Sequence, residues 1–183
     1  MSRIDRLIGR YADHIGAPWP QGVAGIQRTL FLVYPAEEER RLRAHLGELE
    51  LRTRQAGHGW RLYDITDEFP RWMAAQTRYR EKYFRRPQLL SGYAAGQLAE
   101  FSAHLSRCLE QQLDAADEAT VVALCGVSSL FGLASVSSLV DSVARRVRGR
   151  LVVLFPGEYD DHKFRLLDAR DGWNYRSLAI TCD

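Results

Sequence analysis

Apolar residues along this chain fall into two patterns, short unbroken runs and stripes at helical spacing, and the two alternate. Residues 29–34 (TLFLVY), 120–125 (TVVALC) and 151–155 (LVVLF) are runs without a polar interruption. A strand covered by helices on both faces has no polar side, so these predict buried strands. Residues 60–65 (WRLYDI) predict a further strand. The stripes fill the intervals. Ser2 and Asp5 form a capping-box pair ahead of Ile4, Leu7, Ile8, Tyr11 and Ile15, which predicts a first helix. Residues 36–56 predict one charged helix with Leu42, Leu46 and Leu49 on a single face. Thr66 is placed to cap a short helix through Trp72, Met73 and Gln76, with Pro70 near its start. Leu98, Phe101, Leu105, Cys108, Leu109 and Leu113 mark a long helix. It is expected to end near Leu113, because Asp114, Asp117 and Glu118 oppose the dipole at a carboxyl end. A last helix carries Leu130, Leu133, Ala134, Val136, Leu139, Val140, Val143 and Val147, with Ser128 or Ser129 as its cap.

This order predicts a single three-layer α/β domain over residues 1–183, Rossmann-like, with residues 1–28 as an amino-terminal helix and connector. The four strands form a mostly parallel sheet. The right-handed crossover rule makes the first two of them parallel neighbours. Residues 164–167 and 175–180, on either side of Asp171-Gly172, predict a short antiparallel addition at the carboxyl end. The 151–155 run is expected to stop at Pro156-Gly157, with Glu158, Tyr159, Asp160, Asp161 and His162 crowding the turn.

Composition changes this picture little. A hydrophobic content of 46% with 26% charged residues excludes a disordered chain, and no stretch reaches the roughly 18 apolar residues of a membrane span. The amino terminus has no apolar leader pattern. Twenty-five basic against 23 acidic residues leave +2, too balanced to imply nucleic-acid binding from the total. The three cysteines, Cys108, Cys125 and Cys182, have no paired spacing, and a cytoplasmic, reducing location is expected.

The candidate chemistry is limited. A phosphate loop needs glycine N–H groups and a lysine after a strand. The first strand instead runs into Pro35 and Glu37, Glu38 and Glu39. Gly126-Val127-Ser128-Ser129 offers a weaker anion cradle. The strand exits bring together Glu37, Glu38, Asp64, Asp67, Glu158, Asp160, Asp161 and His162, an acidic rim that would suit a hard cation and a metal-dependent hydrolase. The histidines at 14, 45, 58, 104 and 162 show neither zincin pairing nor a cysteine spacing. The 78–86 segment interleaves Tyr79, Tyr83 and Phe84 with Arg78, Arg80, Lys82, Arg85 and Arg86. Such a mixture serves phosphate contact and base stacking, or equally a protein interface anchored by aromatics and arginines.

Several of these stretches carry a resemblance: residues 125–131 (CGVSSLF), 136–140 (VSSLV), 151–160 (LVVLFPGEYD), 174–176 (NYR) and 31–35 (FLVYP). Together they resemble BrxB, the small component of BREX bacteriophage-exclusion systems, and PGEYD is the most specific piece. The chain departs from that pattern at Asp161 and at Leu167-Asp168-Ala169. The resemblance implies a cytoplasmic antiphage complex containing a PglZ alkaline-phosphatase-like protein, a DNA methyltransferase and a large ATPase. It implies no catalytic activity, no cofactor and a role as an adaptor for the PglZ-type component. A DNA-binding accessory subunit is the alternative. Candidate contacts are Trp72, Arg78, Tyr79, Tyr83 and Arg85, and Glu158, Tyr159 and Asp160; for DNA they are Arg78, Arg80, Lys82, Arg85 and Arg86.

Overall fold

A computed structural model describes residues 2–20, 22–77, 80–87, 94–167, 173–174 and 177–182. The capping box forms as the sequence predicts: the Asp5 N–H donates to Ser2 Oγ (3.1 Å) and the Ser2 N–H to Asp5 Oδ2 (2.6 Å). It launches α1 (Arg3–Gly16), whose five stripe residues are all buried. β1 (Thr29–Tyr34) is buried at every position.

The helix expected over residues 36–56 is broken. A 3-10 turn (Ala36–Glu38) leads into α2 (Glu39–Ala44), and the chain bends at His45 (φ −104°, ψ 10°) before α3 (Leu46–Gln55). His45 Nδ1 donates to the Arg41 carbonyl at 2.8 Å, so a side chain serves a carbonyl left open at the break. The bend lays α3 against α1, where the hydroxyls of Tyr11 and Thr53 meet at 2.5 Å.

β2 (Gly59–Asp64) is followed by α4 (Glu68–Ala75). Asp67 occupies the α4 cap position without a side-chain bond, and Thr66 is engaged elsewhere. α5 (Arg80–Arg85) and α6 (Ala94–Asp114) come next, then β3 (Thr120–Cys125). The long helix predicted from residue 130 is likewise broken. Residues 127–130 make a 3-10 turn, Gly132 takes φ +72°, and α7 (Val136–Val143) starts only when Ser135 Oγ accepts the Ser138 N–H at 3.2 Å. Ser129 is not its cap: its Oγ donates back to the Gly126 carbonyl at 2.8 Å.

β4 (Arg150–Asp160), β5 (Lys163–Leu166), β6 (Trp173–Asn174) and β7 (Leu178–Thr181) complete seven strands among the described residues. The main sheet has the order β2-β3-β4-β1-β7, and every neighbouring pair in it is parallel. The α/β, three-layer, mostly parallel reading holds, but with five parallel strands rather than four. β1 and β2 are parallel without being neighbours, because β3 and β4 lie between them. The crossover rule fixes hand and direction, not the number of strands passed over. β2 is therefore an edge strand, which accounts for its polar positions and for Leu62 at 40% exposure. β7 is not half of an antiparallel hairpin: it lies parallel to β1 at the other edge.

Alternate residues of the sheet feed two cores. Leu30, Leu32, Tyr34, Val152 and Leu154 pack with α1, α2 and α3. Phe31, Val33, Val153 and Phe155 pack with α4, α6 and α7. Among the described residues no helix is long and apolar enough to cross a membrane.

Candidate functional site

In an open parallel sheet, ligands and partners meet the carboxyl ends of the strands where the strand order reverses. Here β2, β3 and β4 step toward β1, while the chain leaves β1 for the far edge. At the β1–β4 exit lies a cavity of about 390 Å³ lined by Pro35, Ala36, Glu37, Gly157, Glu158 and Leu167.

The PGEYD stretch builds one wall, but not as the expected turn. β4 runs straight through Pro156-Gly157. Its ladder with β3 ends at Val153, that with β1 ends at Pro156, and an antiparallel ladder with β5 begins at Gly157. Proline thus sits at the handover between ladders, where a missing donor costs least. Gly157 is required by close approach, since a Cβ there would run into the Arg165 carbonyl oxygen. The turn comes later, at Asp161 (φ 45°) and His162 (φ 60°), both left-handed as a tight hairpin of primed type demands.

The resulting ribbon is two-faced. Phe164 is buried against Phe31 (ring centroids 4.6 Å apart), and Tyr159 lies on Phe164 at 4.6 Å. The Tyr159 hydroxyl also meets His162 Nδ1 at 3.3 Å. Glu158, Asp160, Lys163 and Arg165 are exposed on the other face. In the register Glu158 faces Arg165 and Asp160 faces Lys163, opposite charges on directly paired residues.

The exits of β1 and β2 are tied together by side chains. Tyr34 donates to Glu39 (2.6 Å); Arg43 donates from Nε to Glu39 (2.8 Å), from Nη1 to Asp64 (2.8 Å) and from Nη2 to Thr66 (2.7 Å). Asp64 also accepts from the Thr66 N–H at 3.0 Å. Burial disfavours its charge, but the bonds from Arg43 and Thr66 outweigh that and hold its carboxyl below the usual range. Burial pushes the neighbouring Cys125 thiol up to about 11, so it is protonated at neutral pH. Gly126, at φ +83°, sits against Thr66 and Asp64 rather than opening toward an anion.

Glu37 and Glu158 of the predicted rim share the lining of the β1–β4 cavity, but the other acids do not join them. Asp64 is committed to Arg43, Glu38 pairs with Arg41 (3.1 Å), Asp67 lies 3.9 Å from Arg71, and Glu158 and Asp160 stand on the ribbon. Among the described residues, ligand atoms gather elsewhere: Glu68, His104 and Cys108 lie within 4.8 Å of one another. Sequence reasoning passed over this group. Its visible half was His104 and Cys108, one helical turn apart on α6; Glu68 reaches them only through the packing of α4 on α6.

The aromatic–arginine segment is only partly described. Trp72 is 7% exposed and packs on Phe101 at 5.4 Å, so it belongs to the core. Arg78 and Tyr79 lie outside the described residues, as does the side chain of Tyr83. α5 exposes Arg80, Lys82, Phe84 (69%) and Arg85, with Arg86 following; Arg85 is 3.9 Å from Glu81. Comparisons with family models, curated proteins and solved structures find no match to this chain.

Proposed function

We propose that this protein is a non-catalytic adaptor of a cytoplasmic BREX-type antiphage complex, binding the PglZ-type alkaline-phosphatase-like component. The observation that carries the reading is the β4–β5 ribbon. The stretch with the most specific resemblance, PGEYD, is spent on architecture: proline at a ladder handover, glycine at a backbone contact, tyrosine toward the core. What remains for recognition is a charged face with Glu158, Asp160, Lys163 and Arg165. Interspersed charges favour register and partner choice over raw affinity, as suits an adaptor. α5, with Phe84 among cations, is the second contact surface.

The test is affinity purification of the tagged protein from cells expressing its gene neighbourhood, then titration with the purified partner. Stoichiometric recovery of the PglZ-type protein is expected. Reversing charge with Glu158→Lys and Asp160→Lys should weaken binding at least about tenfold, as for interface charges, and lower the melting temperature only slightly, because both residues are exposed and the new lysines face Arg165 and Lys163. Failure of the pair to associate sinks the proposal.

α5 also supports the DNA-binding alternative through Arg80, Lys82, Arg85 and Arg86. Phosphate contacts would lower log K by about 0.9 per neutralised phosphate per log unit of salt. We expect duplex binding no tighter than about 10⁻⁵ M near physiological salt, within the non-specific range. Tight binding that weakens on removal of Arg78, Arg80, Arg85 and Arg86 would favour the DNA reading.

A further inference from the structure

Glu68, His104 and Cys108 meet beside Tyr63, at the junction of β2, α4 and α6. His104 Nε2 lies 3.3 Å from Glu68 Oε2 and 3.5 Å from Cys108 Sγ. All three side chains are partly buried. Tyr63 Oη is buried beside Cys108 and Glu68, with no well-formed hydrogen bond among the described residues. Arg71 lies 3.6 Å from the other Glu68 oxygen, Oε1, which leaves Oε2 directed at the histidine.

A thiol, an imidazole and a carboxylate in a row would suit a nucleophile–base–orienter triad. In such a triad the thiol and the carboxylate use opposite nitrogens of the ring. Here both are nearest to Nε2, and Nδ1 is farther from the sulfur at 4.0 Å. One ring nitrogen cannot donate to the carboxylate and accept from the thiol at once. A cation satisfies all three atoms together.

The two separations from His104 Nε2 match one cation class. With Zn–N and Zn–O bonds of about 2.0–2.1 Å and Zn–S of about 2.3 Å, tetrahedral angles put N and O about 3.3 Å apart and N and S about 3.5 Å apart. The observed separations are 3.3 Å and 3.5 Å. A mixed N/O/S donor set also favours zinc over the oxygen-seeking magnesium and calcium.

We propose that Glu68 Oε2, His104 Nε2 and Cys108 Sγ form a Zn²⁺ site, with Tyr63 as its outer hydrogen-bond donor and the fourth position open to water. Burial raises the Cys108 thiol, so it is protonated at neutral pH and yields one proton to solvent as its sulfur takes the metal. Burial raises the Tyr63 phenol too, which keeps it a donor. The thiolate formed on binding is the acceptor that its O–H otherwise lacks. The metal would join the start of α4 to the middle of α6, the two helices on either side of α5. The site stands independently of the adaptor reading.

The test uses the full chain, stripped with chelator and titrated with Zn²⁺ against a chromophoric competitor, and with Co²⁺ by absorption. One equivalent per chain is expected, with a thiolate-to-cobalt charge-transfer band and a zinc-dependent rise in melting temperature. Cys108→Ser should remove the band, and Cys108→Ser and His104→Ala should each lower affinity by more than about 100-fold, exceeding the roughly 10–100-fold cost of losing an outer-shell partner that Tyr63→Phe should show. His162→Ala, at an exposed histidine, should leave zinc affinity and the cobalt band unchanged. No saturable zinc binding by the unaltered chain overturns the proposal. So does a cobalt complex without the thiolate band, which needs no variant to fold, or affinity unchanged in both ligand variants.

Discussion

Gly126 combines two constraints in one residue: φ is +83°, and Thr66 Oγ1 and Asp64 Oδ1 stand where a side chain would begin. Gly126→Ala should therefore lower stability by at least about 1–2 kcal/mol, the cost of left-handed backbone alone, in urea denaturation; an unchanged midpoint would contradict the packing. Asp64, next to it, gives a pH signature. Its folded pKa lies below the unfolded value of about 3.9, because bonds from Arg43 and Thr66 outweigh desolvation. The stability it lends is fully present above that unfolded value and is lost as pH falls through the folded one. Denaturation at about pH 6 and about pH 3 should show a smaller acid loss in Asp64→Asn than in the unaltered chain. Gly126 was legible as a turn glycine because it follows an apolar run. Its contact with Thr66 and Asp64 was not, since those residues lie some sixty positions earlier.

Elements whose signals are local match their predictions closely. Ser2 and Asp5 fix the start of α1, and β1 and β3 occupy the residues that their unbroken apolar runs mark. Elements that depend on partners do not. The 36–56 helix breaks because a bend at His45 lets α3 reach α1, a tertiary demand that the leucine stripe cannot express. β4 passes through Pro156-Gly157 because its ladders change partner there, and sequence shows only the two residues that usually end strands. The candidate site was legible to the same extent: Glu158, Tyr159 and Asp160 were marked, but their division between outer and inner faces follows from pairing with β5. That pairing is closed by a turn with non-glycine residues at φ 45° and 60°. Asp161→Asn with His162→Gly, the pair such turns prefer, should stabilise the protein by about 1 kcal/mol. A loss in thermal melting would mean that the Tyr159–His162 contact matters more than the turn.

At the scale of the whole molecule, the carboxyl-terminal strand closes what the amino-terminal helix opens. Arg6 Nε donates to the Cys182 carbonyl at 3.1 Å and Arg10 Nη1 to that of Thr181 at 3.0 Å, while β7 covers the edge of β1. β1 is apolar and buried throughout, so removing residues 177–183 would leave a hydrophobic edge strand. We expect that truncation to lower the melting temperature and to scatter light on concentration; a monomer melting like the full chain would refute it. Strand order of this kind is set by non-local pairing, which is why the crossover rule, applied to the first β-α-β stretch, put β1 beside β2. The one strand shared by both parts of the sheet has a mechanical meaning as well. β4 lies between β3 and β1 in the core and continues without interruption into the ribbon. A pull on the ribbon along its length loads the hydrogen bonds to both central neighbours at once, in shear, instead of peeling them one by one. Whatever grips Glu158 and Asp160 is therefore moored to a strand held from both sides at the centre of the sheet.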